Sequence, residues 1–210
     1  MKFLYFLDNS AGWAGVIFEH DKTSLNYSVS YCLSENIKEL MGGLILLTVT
    51  DGNYNKFIND LDDKIEVKDN EFKWTVNEEG SIATFKIKKI ENTSLINLCI
   101  SEDQFDSNGK KIVFNGDVDL IEFIDCILYS CSDMLNKYGI LGYYFNFWEE
   151  FPIYEYLLLK NYREGKIIFD SFSEINNDCE QDMNRSKLEI EMNYLYSNQK
   201  QLFTPWEKHS

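Results

Sequence analysis

GDVDLIEFIDCILYSCSDMLNKYGILGYYFNFWEEFPIYEYLLLKNYREG, residues 116–165, is the stretch whose reading decides the fold. Leu120, Ile124, Ile127, Leu128, Cys131, Met134 and Leu135 recur at three- and four-residue spacing, which lays one apolar stripe along a helix. Asp119 stands where an N-cap is needed, Glu122 completes a capping box, and Val118 is placed to staple against Phe123. Gly139 stops this helix. Pro152 opens another at its favoured first position, and Gly165 closes it, with Lys160 and Arg163 suiting the negative C-terminal end. Between the two lies a connector, 138–151, crowded with Tyr143, Tyr144, Phe145, Phe147, Trp148 and Phe151.

N-terminal to this stretch the pattern is that of strands. Residues 2–7 form a short apolar run, the turn signal Asn9-Ser10-Ala11-Gly12 follows, and 13–20 reads as a second strand. After a polar turn at 21–24, Leu25, Tyr27, Val29, Tyr31 and Leu33 alternate on one face of a third. These three predict an antiparallel meander. Ser34 is a good N-cap for a helix carrying Ile37, Leu40, Met41, Leu44, Leu47 and Thr48, which Asp51-Gly52-Asn53 ends. Gly42 and Gly43 inside it cost about 1 kcal/mol each against alanine, so close packing on the sheet is their expected use.

Residues 55–69 are ambiguous, with a short element at 57–61 and a strand at 65–68. Residues 72–76 and 82–90 make a hairpin around 77–80, and 95–100 and 111–114 read as two further strands. A capping box from Ser171 to Glu174 starts a last helix, to about residue 198. Strands first and helices afterwards predict an α+β fold: one antiparallel sheet of about six to eight strands, with three to four mostly C-terminal helices packed on it. Residues 1–198 are expected to form a single domain, and 199–210 a C-terminal tail.

Composition narrows the function classes. A chain of 210 residues with 44% hydrophobic residues and two prolines can bury a substantial core. Its formal net charge is −15, and the part beyond residue 90 carries most of it. Such a surface repels phosphate backbones and anionic lipids, which argues against nucleic acid and membrane as partners and favours basic proteins or plain solubility. The five cysteines form no CxxC, and Cys126 and Cys131 leave their helix on different faces, so reduced thiols in a cytoplasmic protein are expected. The apolar residues before Asp8 are too few for a signal-peptide core, and the run 41–50 is about half a membrane span.

No chemistry announces itself. The sequence contains no phosphate loop, dinucleotide fingerprint, GxSxG elbow or HExxH motif. It has two histidines, and pairing His20 with Leu25 and Trp13 with Cys32 across the 21–24 turn would hold His20 and Cys32 roughly 20 Å apart. No catalytic residue, cofactor or metal ligand is expected on these grounds. Glu149-Glu150 beside Trp148 has the composition of a glycosidic cleft, but directly before Pro152 the two acids suit a helix N-terminus better. The aromatic connector admits two readings as well: a plug between helices and sheet, or an exposed anchor for a partner. Glu122, Asp125, Tyr129 and Asp133 follow one another along the helix opposite its apolar stripe. That is an ordinary solvated face, or the carboxylate row a basic partner requires.

The motifs GWAGVIF (12–18), SYCLSENIKELMGGL (30–44), FKWTV (72–76) and the run from KYG (137–139) through YYFNFW (143–148) to FPIYEYLLL (151–159) carry a resemblance. Their layout resembles small acidic bacterial immunity proteins of polymorphic-toxin and contact-dependent growth inhibition systems. The resemblance implies a non-catalytic protein that binds and neutralises a cognate toxin domain, often a basic nuclease, in the producing cell. It transfers no binding residue. The expected partner-binding residues come from the helix faces: Glu122, Asp125, Tyr129, Asp133, Trp148, Glu149 and Glu150. Two other readings stand beside it, a carboxylate-dependent hydrolase and a housekeeping protein-interaction subunit.

Overall fold

A computed structural model describes residues 1–8, 12–30, 37–48, 67–78, 81–104 and 109–164. The order is β1 (Lys2–Leu7), β2 (Trp13–His20), β3 (Thr23–Ser30), α1 (Ile37–Thr48), β4 (Glu71–Glu78), β5 (Ser81–Lys89), β6 (Leu95–Gln104), β7 (Lys111–Asp119), α2 (Leu120–Phe147) and α3 (Ile153–Arg163). The α+β class holds, but the single sheet does not. The strands form two antiparallel sheets, β1-β2-β3 and β4-β5-β6-β7, neither as large as the sheet expected, and α1 falls between them in sequence rather than at the C-terminal end. The expected element at 57–61, the first half of the expected strand at 65–68, Gly165, the helix at 171–198 and the tail lie outside the described residues, as do Ser34 and Cys32.

Aromatic side chains explain the division. Alternation sends Phe3, Tyr5 and Leu7 to one face of β1, opposite Phe18, Val16 and Ala14 of β2, and all six are buried. Tyr27 and Val29 of β3 extend the same face. Phe3 meets Trp74 and Phe85 at 6.1 and 6.5 Å, Tyr27 meets Phe85 at 5.8 Å, and Phe18 meets Phe114 at 4.8 Å. Rings of the first sheet therefore lie against rings of the second. The Tyr27 hydroxyl also donates to Glu102 Oε1 at 2.9 Å, tying β3 to β6.

The β2–β3 hairpin is tighter than the sequence reading had it. His20 pairs with Thr23 and Trp13 with Ser30, so Asp21 and Lys22 alone make the turn. Asp21 takes φ 52°, a left-handed conformation that an aspartate tolerates better than most residues. On the outer face the Phe6 ring lies across Gly15, where a Cβ would come within 2.2 Å of it.

Helix α1 buries Ile37, Leu40, Met41, Leu44 and Leu47 as expected, and Gly43 accounts for its glycine pair. A Cβ at Gly43 would stand 2.3 Å from the Phe72 ring, so the helix approaches β4 more closely than an alanine would allow. Strand β7 runs on past the expected 111–114 as far as Asp119, which pairs with Leu95, so the sheet delivers the chain directly into α2. That helix packs on β1, with Phe123 5.2 Å from Phe3. Helix α3 packs on both α1 and α2.

Candidate partner-binding surface

Helix α2 begins as its sequence requires. The Asp119 side chain accepts from the Glu122 backbone N–H at 2.9 Å, and Ser94 Oγ donates to the other Asp119 oxygen at 3.1 Å. The expected reciprocal half of the capping box is absent. Glu122 instead accepts from the Met1 ammonium at 2.8 Å, because β1 lies along α2 and brings that charge within reach. The apolar stripe is buried throughout, from Leu120 to Leu135.

Of the three carboxylates in the row, two are paired within the fold. Asp125 takes both arms of Arg163, Nε at 2.6 Å and a terminal nitrogen at 3.1 Å, which joins α2 to α3. The Asp125 hydrogen bond raises the pKa of that guanidinium further. Glu122 and Asp125 thus act within the fold. Tyr129, 48% exposed, and Asp133, also exposed, are left facing solvent.

Gly139 interrupts the helix as expected, taking φ 67° and ψ 177°, a conformation nearly reserved for glycine. What differs is the segment beyond it: the expected connector is a second helical segment that runs from this kink to Phe147. Its aromatic residues divide by face: Tyr143, Phe147 and the following Phe151 are buried and in ring contact at 5.6 and 5.3 Å, while Tyr144, Phe145 and Trp148 face out. The first three fill the core as a plug, and the last three are exposed. Ile140 and Leu141 join the outer set, and neither was singled out from the sequence. The signal was available, since 140, 141, 144, 145 and 148 follow the helical period.

Trp148 caps the helix in a left-handed conformation, its backbone N–H donating to the Tyr144 carbonyl at 2.7 Å. Glu149 is partly buried and Glu150 exposed, in the link leading to α3. Pro152 sits at the N-cap position rather than inside the first turn. Among the described residues no three His, Cys, Asp or Glu side chains group as metal ligands, and no helix is long and apolar enough to cross a membrane.

Among the described cysteines, Cys126 and Cys131 are buried and Cys99 is partly exposed. Cys131 lies within 3.8 Å of the Met41 sulfur, and burial pushes its thiol well above the usual range, holding it protonated. Burial likewise raises Tyr5, Tyr143 and Tyr156. The Tyr5 and Tyr156 hydroxyls neighbour Tyr143 and Ser132 respectively, yet reach no partner in hydrogen-bond geometry. No family model matches this chain, nor does any curated protein or solved structure.

Proposed function

We propose that this chain is a non-catalytic, immunity-type protein that binds and neutralises a cognate basic toxin domain in the cytoplasm of the producing cell. One observation carries the reading: a helical face of Ile140, Leu141, Tyr144, Phe145 and Trp148 lies open on a chain of net charge −15. Tyrosine and tryptophan are the side chains that most often dominate protein–protein binding energy, and exposed apolar surface of this kind marks interaction sites. The acidic charge supplies long-range attraction for a basic partner and repels nucleic acid, so a nuclease would be met as a protein and not through its substrate. Tyr129, Asp133, Trp148, Glu149 and Glu150 remain the proposed contacts. Glu122 and Asp125 leave the proposal, because their charges are matched within the fold.

The test is co-expression with the toxin domain encoded in the neighbouring gene. Growth rescue together with a stable complex of the two purified proteins is the expected result. A soluble, folded chain that neither protects nor binds ends the reading.

A further inference from the structure

The apolar face beyond Gly139 has a charged end. Ile140, Leu141, Tyr144, Phe145 and Trp148 are 53%, 73%, 47%, 69% and 52% exposed, while Tyr143 and Phe147 on the opposite side are buried, so the helix is apolar on both faces. A helix apolar all round belongs between two layers of protein, and among the described residues only one of those layers is present. At its C-terminal end α2 carries no basic residue in the last turn, and Glu150 stands exposed just beyond. The helix carbonyl end and this carboxylate are both negative, so the apolar face finishes at an anionic pole beside the Trp148 indole.

We infer that this face receives a basic amphipathic segment of the partner, its aliphatic side chains on Leu141 and Phe145 and a Lys or Arg at the Trp148–Glu150 end. The inference rests on the partner-binding reading above and adds the chemistry of what is bound. An aliphatic row covers the apolar face, and a cation can both stack on the indole and answer the carboxylate. A second copy of this chain fits poorly, because each copy carries −15 and would bring the same charge sign to the contact. An anionic lipid surface is repelled for the same reason.

The experiment uses the full chain and two synthetic helical peptides of equal length, one of leucine and lysine and one of leucine and glutamate, each with a fluorophore for anisotropy. The leucine–lysine peptide should bind at least about tenfold more tightly than the leucine–glutamate one, and added salt should narrow the gap. The Leu141→Glu/Phe145→Glu variant should lose about tenfold or more, and Glu150→Lys less, whereas Ile112→Glu, at an exposed apolar residue of β7, should bind as the parent does. Thermal melts confirm that the variants fold.

Equal affinity for the two peptides overturns the inference, as does binding unchanged by Leu141→Glu/Phe145→Glu or lost equally in Ile112→Glu. A dimer in light scattering that Phe145→Glu dissolves would assign the face to a second copy and overturn it too, and so would this face carrying the chain onto lipid vesicles. The two proposals fail separately. Selective peptide binding without toxin binding removes the immunity reading and keeps the surface. A toxin complex indifferent to Leu141→Glu/Phe145→Glu does the reverse.

Discussion

Asp125 on α2 and Arg163 on α3 form a two-armed ion pair, at 2.6 and 3.1 Å, across 38 residues of sequence. Their side chains are only 13% and 26% exposed, so the pair is shielded from much of the screening that weakens surface bridges. It fastens α3 to the element that carries the proposed docking face. Asp125→Asn leaves the guanidinium part-buried without its counter-charge, and should cost ~2 kcal/mol in urea denaturation. Replacing both residues together with Leu and Met should recover most of that loss. If Asp125 contacted a partner instead, its substitution would weaken binding at unchanged stability.

Gly43→Ala tests the approach of α1 to β4. In a solvated helix the change would stabilise by about 1 kcal/mol, but here the new methyl meets the buried Phe72 ring at 2.3 Å. Overpacking should win, with a net loss of ~1–3 kcal/mol in chemical denaturation. Adding Phe72→Leu should make the alanine less costly than it is alone, a coupling that a double-mutant cycle measures.

Gly139→Ala isolates backbone conformation, because nothing lies within 4 Å of where its Cβ would stand. The left-handed, extended geometry should cost ~1–3 kcal/mol, seen as a lowered melting temperature. The same substitution should weaken binding of the leucine–lysine peptide, since the kink aims the face beyond it. A melt indistinguishable from the parent would show that the kink carries no strain for alanine.

Tyr5→Phe and Tyr156→Phe remove buried hydroxyls that make no hydrogen bond, and each should leave stability unchanged or raise it by about 1 kcal/mol. A loss of ~1 kcal/mol or more in either urea melt would mean that the hydroxyl is satisfied in solution.

The alkaline side of the stability curve follows from the same core. Burial raises Tyr5, Tyr143 and Tyr156 above their ordinary value of 10.0, and Cys131 above 9.0. The folded state therefore keeps its protons where the unfolded chain releases them. Their stabilisation is complete below the ordinary values and falls as pH rises past them, by up to about 1.4 kcal/mol per pH unit for each group. Urea melts between neutral pH and the ordinary tyrosine value should show little change from these groups until the thiol begins to titrate, then a steepening loss.

What the sequence determined by itself was local. Apolar spacing placed the stripe of α2, the buried face of α1 and the β1 and β2 strands, because each depends on residues within a turn or a pleat of one another. Asp119 was legible as a cap for the same reason. The helical period also held the outer face at 140–148, although the aromatic crowding and the glycine at 139 made that segment read as a connector.

Only the tertiary structure decided which charges were available and which aromatics were covered. Glu122 and Asp125 have the sequence context of solvent-facing acids. Their partners, Met1 and Arg163, arrive from elements more than thirty residues away, and nothing in the local pattern announces them. The division into two sheets is of the same kind, since it follows from Phe3, Phe18 and Tyr27 finding Trp74, Phe85 and Phe114. Periodicity tells a side chain which face of its own element it is on. What lies across from that face is settled by packing between distant parts of the chain, where a close ion pair or a ring contact outweighs local preference.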